Sequence, residues 1–251
     1  LPISIFLDLV KLPQEDRHKL RPITTQVVHS PTQAERVAGY QKIYDYLSPH
    51  IRERRSHPGE DLMSTVVNVQ DGDHRISEAD AFSYASLVLF GGLDTVASML
   101  GFVVRHLARG DGLRRALAAD PARIKGAVEE FARRFPVAGL GRVVAKDFAY
   151  GGVTFKAGDR LLMPTPLHSL DDGVFPHAER VDIDRQPPSI MSFGRGPHQC
   201  LGALLARIEL AEALGEWLRQ IPEFRIAAGK QPRVSCGHIA AMTSLPLSWE
   251  V

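Results

Sequence analysis

Cysteine is nearly absent. Two residues, Cys200 and Cys236, occur in 251, too few for a disulfide framework or for a cysteine cluster holding zinc or iron–sulfur. An excess of either charge is missing too. Thirty Lys and Arg stand against 29 Asp and Glu, a net charge of +1, so no global pull toward nucleic acid or a membrane surface is expected. The longest apolar run, around Leu87 to Leu93, is interrupted by Gly91 and Gly92 and reads as too short to span a bilayer. No signal peptide is expected at the start, and internal repeats and low-complexity segments are lacking. The initiator methionine is also missing: the chain opens on Leu1-Pro2-Ile3, which suggests the middle of something longer. With 44% hydrophobic and 24% charged residues, the expectation is a cytoplasmic globular protein with one domain over 1–251.

Against that sparse background one stretch is dense in special residues. Phe193-Gly194-Arg195-Gly196-Pro197-His198-Gln199-Cys200-Leu201-Gly202 combines three glycines, a proline, a histidine and one cysteine. A helical pattern follows over 201–219, with Leu201, Leu204, Leu205, Ile208, Ala211 and Leu218 at near-helical spacing. Cys200 therefore sits where a glycine-rich loop enters a helix. The first N–H groups of a helix lack internal partners and favour negative charge, which promotes the thiolate. A thiolate is a nucleophile or a soft metal ligand, and a single one at such a junction suits an axial ligand to haem iron. The bland alternative is a half-buried structural cysteine after a turn.

Helices are expected over 14–28, over 33–55 behind the capping box Thr32-Gln33-Ala34-Glu35, over 61–69, and from Ser77 as N-cap to about Arg109. That last helix is nearly all apolar at its centre and is expected to be buried on every side. Arg52-Glu53-Arg54-Arg55 reads as a solvated helix end. Within the long helix, Leu89-Phe90-Gly91-Gly92-Leu93-Asp94-Thr95 reads as a point where the ladder opens. Adjacent glycines weaken a helix by roughly 1 kcal/mol each. They also let a flat ligand approach, and a Thr hydroxyl can bond back to the preceding turn and bend the rod. A satisfied core pair is the bland reading of Asp94 and Thr95. A further helix starts at Asp120-Pro121, and Glu130 and Arg133 lie on one face of it at i and i+3. Short strands are expected at 142–145, 148–150, 153–155, 160–163, 224–226 and 245–249, with an irregular meander over 170–192.

Phe-Gly-x-Gly-x-His-x-Cys-x-Gly, Gly-Gly-x-Asp-Thr and Glu-x-x-Arg occur here in the order and approximate spacing of the cytochromes P450. Over essentially the whole chain the sequence resembles that family, and most of all its soluble bacterial camphor-hydroxylase-like group. Tyr44-Asp45-Tyr46-Leu47, Glu129-Glu130 with Arg133-Arg134-Phe135, and Leu245-Pro246-Leu247 with Trp249 carry the same likeness. The resemblance implies a mainly α fold with small β-sheets around haem b, of which this chain is the C-terminal portion. Cys200 would be the proximal iron ligand, within a cofactor loop that includes Phe193, Gly194 and Gly202. His198 and Arg142 would hold the haem propionates. Asp94 and Thr95 would deliver protons during oxygen activation. Glu130, Arg133 and Arg180 would pin the meander behind the cysteine loop. Leu87, Phe90, Val137, Ala138, His238 and Ile239 would line the pocket of a small hydrophobic, terpenoid-like substrate.

The implied reaction is monooxygenation with O2 and electrons from a ferredoxin and its reductase. No nucleic-acid or membrane partner is implied. A catalytically inactive haem-binding fragment and a peroxide-using relative are the alternatives. Three departures qualify the match. Leu140 replaces an acidic residue expected near a propionate, Phe90 is bulkier than the aliphatic residue usual there, and the family's N-terminal portion, which holds the substrate lid, is missing.

Overall fold

Helix caps set the first elements of the computed structural model, which describes residues 2–186, 189–236 and 239–250. After α1 (Pro2–Leu9) and a 3-10 turn at Gln14–Asp16 come α2 (Arg17–His29), α3 (Gln33–Ser56), α4 (Leu62–Val67) and α5 (Glu78–Leu93). The Thr32 hydroxyl accepts the Glu35 N–H and donates to the Glu35 carboxylate, and Ser77 does the same with Asp80. Both bonds satisfy backbone donors that the first turn leaves over. Leu7, Leu20, Ile43, Leu47, Val67 and Leu89 from these helices share one core, each fully buried.

Of the Arg52–Arg55 run, Arg52 and Glu53 are exposed as the composition suggests, but Arg54 and Arg55 turn inward. Arg54 is 9% exposed, donates to Asp61 at 3.0 Å, and reaches the Val10 and Lys11 carbonyls. A charged group leaves water when partners of this kind are available. Arg55 likewise bonds the Val67 and Ile76 carbonyls.

The remaining elements are α6 (Thr95–Leu107), α7 (Asp111–Ala119), α8 (Ile124–Arg134), α9 (Thr165–Ser169) and α10 (Ala203–Gln220), with short strands between and after them. Among the described residues every sheet is a two-stranded antiparallel pair. In chain order the strands are β1 (Gln70–Asp71), β2 (His74–Arg75), β3 (Gly139–Val143), β4 (Phe148–Tyr150), β5 (Val153–Phe155), β6 (Arg160–Pro164), β7 (Phe224–Ile226), β8 (Arg233–Ser235), β9 (Ala241–Ser244) and β10 (Leu247–Trp249). β3 pairs with β6 and β7 with β10. α10 packs on α8 and α7, with Leu210, Leu214 and Leu218 buried along its inner face. Contacts group the chain into two compact units, Leu1–Ala97 and Ser98–Val251, where the sequence suggests a single domain.

The long apolar helix divides into α5 and α6 around Asp94, as expected of a ladder opened at its centre. Two features of it differ from expectation. Its 30 residues Glu78–Leu107 are, by length and composition alone, apolar enough to cross a membrane; one Asp and two glycines do not lower the average enough to prevent that. Nor is it buried on every side. Tyr84 is 43% and Leu87 63% exposed, and Gly91 has nothing within 4 Å of where a Cβ would stand. Tyr84, Leu87, Gly91 and Thr95 recur at helical spacing, so they form one open stripe along the helix.

Candidate functional site

The open stripe ends at the helix break. The Thr95 hydroxyl donates to the Gly91 carbonyl at 2.8 Å, so a side chain takes an acceptor belonging to the helix backbone. Gly92 turns the other way: a Cβ there would stand 3.7 Å from Cβ of Phe6. Asp94 caps α5 and is held from α2: Oδ2 lies 3.1 Å from Nε2 of His29, with side-chain exposures of 27% and 19%. The sequence pairs Asp94 with Thr95 but gives no sign of His29, because the contact spans 65 residues. Leu87 and Phe90 lie on the same helix as this break. Leu87 points to open space, whereas the Phe90 ring packs edge-on against Tyr40 with centroids 5.5 Å apart.

The cysteine loop is built from backbone bonds and glycines. Cys200 N–H donates to the Phe193 carbonyl at 2.8 Å, and Gly194 N–H to the Met191 carbonyl at 2.9 Å. Gly194 has φ +70°, and a Cβ there would stand 3.0 Å from the His198 carbonyl oxygen. Only glycine meets both conditions without strain. Gly202 is the N-cap of α10, which begins at Ala203, two residues later than the hydrophobic spacing suggests. A Cβ on Gly202 would stand 3.9 Å from the Cys200 sulfur. Both Cys200 and Cys236 are free and exposed.

Beside the thiol an apolar stripe runs from Leu201, just before α10, onto that helix, with Leu201 92%, Leu204 71% and Ile208 51% exposed. The charged face of the same helix supports the loop from behind. The Arg207 guanidinium stacks over the Phe193 ring, 4.4 Å from its centroid, and forms an ion pair with Glu129 of α8. Cation–π contact and ion pair together fix the plane of that guanidinium. The sequence reading missed Arg207; its place seven residues after Cys200, on the loop side of the helix, was the available signal.

Glu130 and Arg133 form a buried network. Arg133 is fully buried and makes two bonds to the Glu130 carboxylate, at 2.7 and 2.8 Å. It also donates to the carbonyls of Ser169, Ala178 and Arg180 and lies over the Phe175 ring. The third member differs from expectation. Arg180 contributes its carbonyl only, and its side chain is exposed. The guanidinium that meets Glu130 is that of Arg185, at 3.3 Å, with further bonds to the Pro176 and His177 carbonyls. The chain turns at Asp182 and Asp184, which brings Arg185 rather than Arg180 back to α8. Ser192 then ties the end of the meander to α8 through the Ala132 carbonyl at 2.6 Å.

Arg142 on β3 bonds only the carbonyl of Gly141 at 2.7 Å. Among the described residues neither Arg142 nor His198 forms an ion pair with a carboxylate. Val137 and Ala138 meet the chain at 239–240: Ala138 and Ile239 form an isolated antiparallel bridge, and Ala240 N–H donates to the Val137 carbonyl at 2.7 Å. His238 lies outside the described residues. No group of three or more His, Cys, Asp or Glu suited to a metal ion occurs among the described residues. The donor set is a lone exposed thiol, an uncovered apolar stripe next to it, and two nitrogen donors, Arg142 and His198, without carboxylate partners among the described residues. That chemistry fits a large, flat, anionic-edged macrocycle with a thiolate-bound metal.

Known proteins point the same way. The family model described as Cytochrome P450 matches residues 9–249. The probable cytochrome P450 127A1 of Sinorhizobium fredii is 32% identical over 246 residues, which are 98% of this chain and 59% of that protein. Vitamin D(3) 25-hydroxylase of Pseudonocardia autotrophica is 33% identical over 236 residues, 91% of this chain and 58% of that one. The crystal structure of CYP101J2 superposes with a TM-score of 0.89 at 39% identity, covering 100% of this chain and 63% of the other. That of CYP101C1 gives 0.89 at 38%, with the same coverage. The chain thus spans about three-fifths of the length of these relatives.

Proposed function

The chain belongs to the cytochrome P450 family, and on that premise we propose that it is the C-terminal haem-binding portion of a monooxygenase. Its substrate would be a small hydrophobic molecule of terpenoid type, hydroxylated with O2 and electrons from a ferredoxin and its reductase in the cytoplasm. Family membership implies haem b with a thiolate-ligated iron. When bound, that group supplies oxygen activation, to which the thiolate lends electron density.

Each residue has a task in this reading. Cys200 is the iron ligand, presented by the Phe193–Cys200 backbone bond and the left-handed turn at Gly194. Arg142 and His198 bind the propionates. Gly202 caps the helix that follows the sulfur. Asp94 takes up a proton at Oδ2 and passes it on, and the Thr95 hydroxyl orients the receiving end. Leu87, Phe90, Val137, Ala138, His238 and Ile239 are the residues assigned to substrate contact. Glu130, Arg133 and Arg185 hold the meander behind the loop.

The observation that carries the proposal is the free thiol at the end of a loop that only glycine can form, flanked by the uncovered Leu201–Leu204–Ile208 stripe. The span of about three-fifths of the relatives favours a second reading, a haem-binding fragment without turnover. Reduced carbon monoxide spectra test the ligand: the protein should give the thiolate-type Soret band and Cys200→Ser should lose it. Persistence of that band in the variant would refute the assignment. Product formation with ferredoxin and reductase separates the enzyme from the inactive fragment.

A further inference from the structure

His29 is the last residue of α2, and its ring nitrogen Nε2 lies 3.1 Å from Oδ2 of Asp94. The contact joins the one type of side chain that ordinarily changes charge between pH 5 and 8 to the carboxylate at the helix break. A cavity of about 510 Å³ opens on the same corner, lined by Arg21, Pro22, Thr25, Gln26, His29, Ser30 and Pro31. The imidazole borders that cavity, and its side chain is 19% exposed. The other charged groups around this corner are Arg21 on α2 and Glu35, Arg36 and Lys42 from α3. Lys42 is occupied with the Gln26 side chain and Arg36 with the Ser30 carbonyl, while the Glu35 carbonyl accepts from Gln26 and its carboxylate from Thr32. None of these bonds reaches Asp94.

We propose that His29 is a positioning residue that carries protons between the water-accessible cavity and Asp94. The imidazolium gives its Nε2 proton to Oδ2, leaving neutral imidazole and a carboxylic acid. The acid passes its proton inward and returns to carboxylate, and the imidazole regains a proton from cavity water. Protons balance at each step and no electrons move. An arginine or glutamine at this position would hold the carboxylate equally well but would not pass a proton. This inference rests on the proposed role of Asp94 in proton delivery.

Two measurements on the full-length, haem-loaded protein test it. His29→Gln preserves a hydrogen-bond donor to Asp94, so its thermal midpoint and substrate binding should match the parent. Its ratio of product to NAD(P)H consumed should fall several-fold, and the pH dependence expected of the parent between pH 5 and 8 should flatten. A His29→Gln protein with the parent's coupling and pH profile would show a purely structural contact and overturn the proposal. The second readout is independent of turnover: the Nε2 resonance of His29 followed by NMR should move when Asp94 is replaced by Asn, because its bonding partner changes. An unmoved resonance overturns the proposal as well. If Asp94→Asn moves that resonance but leaves coupling intact, the role of Asp94 itself fails, which separates that outcome from a failure confined to His29.

Discussion

Replacing Arg133 should be the most destructive single change on α8. The guanidinium is 0% exposed in its side chain and serves four partners: the Glu130 carboxylate and the carbonyls of Ser169, Ala178 and Arg180. Arg133→Ala leaves three carbonyls without this donor and a nearly buried carboxylate with only the Asp182 N–H and Arg185 for compensation. Breaking a buried pair from one side costs about 3–5 kcal/mol. In a domain of this size each kcal/mol lowers the midpoint by about 2–4 °C, so a fall on the order of 10 °C is expected. Lysine should rescue little, because one ammonium cannot reproduce a planar fork facing four acceptors. The neighbours supply the control. Arg185→Ala should cost about 2 kcal/mol, the range for a bond to a charged group. Arg180→Ala should stay within about 0.5 kcal/mol, as for an exposed side chain whose backbone alone is used. Urea unfolding of the full-length protein measures all three. A loss under about 1 kcal/mol for Arg133→Ala, or a larger loss at Arg180 than at Arg185, would refute this account of the network.

Three further outcomes follow from particular positions. Gly194→Ala places a side chain at φ +70° and 3.0 Å from the His198 carbonyl oxygen; the loop should lose about 1–2 kcal/mol and haem should dissociate faster in a transfer assay to apomyoglobin. Gly101→Ala would put its Cβ 2.7 Å from Cβ of Met242, and overpacking of α6 against β9 should cost about 1–3 kcal/mol in urea unfolding. The Arg115 and Arg114 guanidinium groups hold the Glu223 carboxyl down to about 2. A depressed carboxylate stabilises the fold above the ordinary range and loses that contribution as pH falls from about 4.5 toward 2. Glu223→Gln should therefore flatten the acid limb of a stability–pH curve and leave the limb above pH 6 unchanged.

Local chemistry made much of this legible in the sequence. Caps at Thr32 and Ser77, the glycine turns around β4 and β5, and the break at Asp94 are all decided within a few residues, and the chain places them close to where spacing suggests. The motif around Cys200 carries its own geometry, because Gly194 is the one residue type that its turn admits. What failed to show depends on distance. Asp94 meets His29 across 65 residues, and Glu129 meets Arg207 across 78. The choice between Arg180 and Arg185 is made by how the meander turns at Asp182, which no helical or strand period encodes. Burial of Arg54 was hidden for the same reason: its partners, Asp61 and the 10–11 carbonyls, approach from two other segments.

The hydroxyl rung at Thr95 has a consequence for isotope exchange. One neutral side-chain bond, worth about 1 kcal/mol, closes the Gly91 carbonyl, and rotation about a single χ1 angle releases it. Opening there requires no unwinding of the turns on either side. The amides of Asp94 and Thr95, at the junction of α5 and α6, should exchange with deuterated solvent ahead of those at Leu89 and Met99, both buried. A long apolar helix then has its readiest opening at the residues assigned to move a proton.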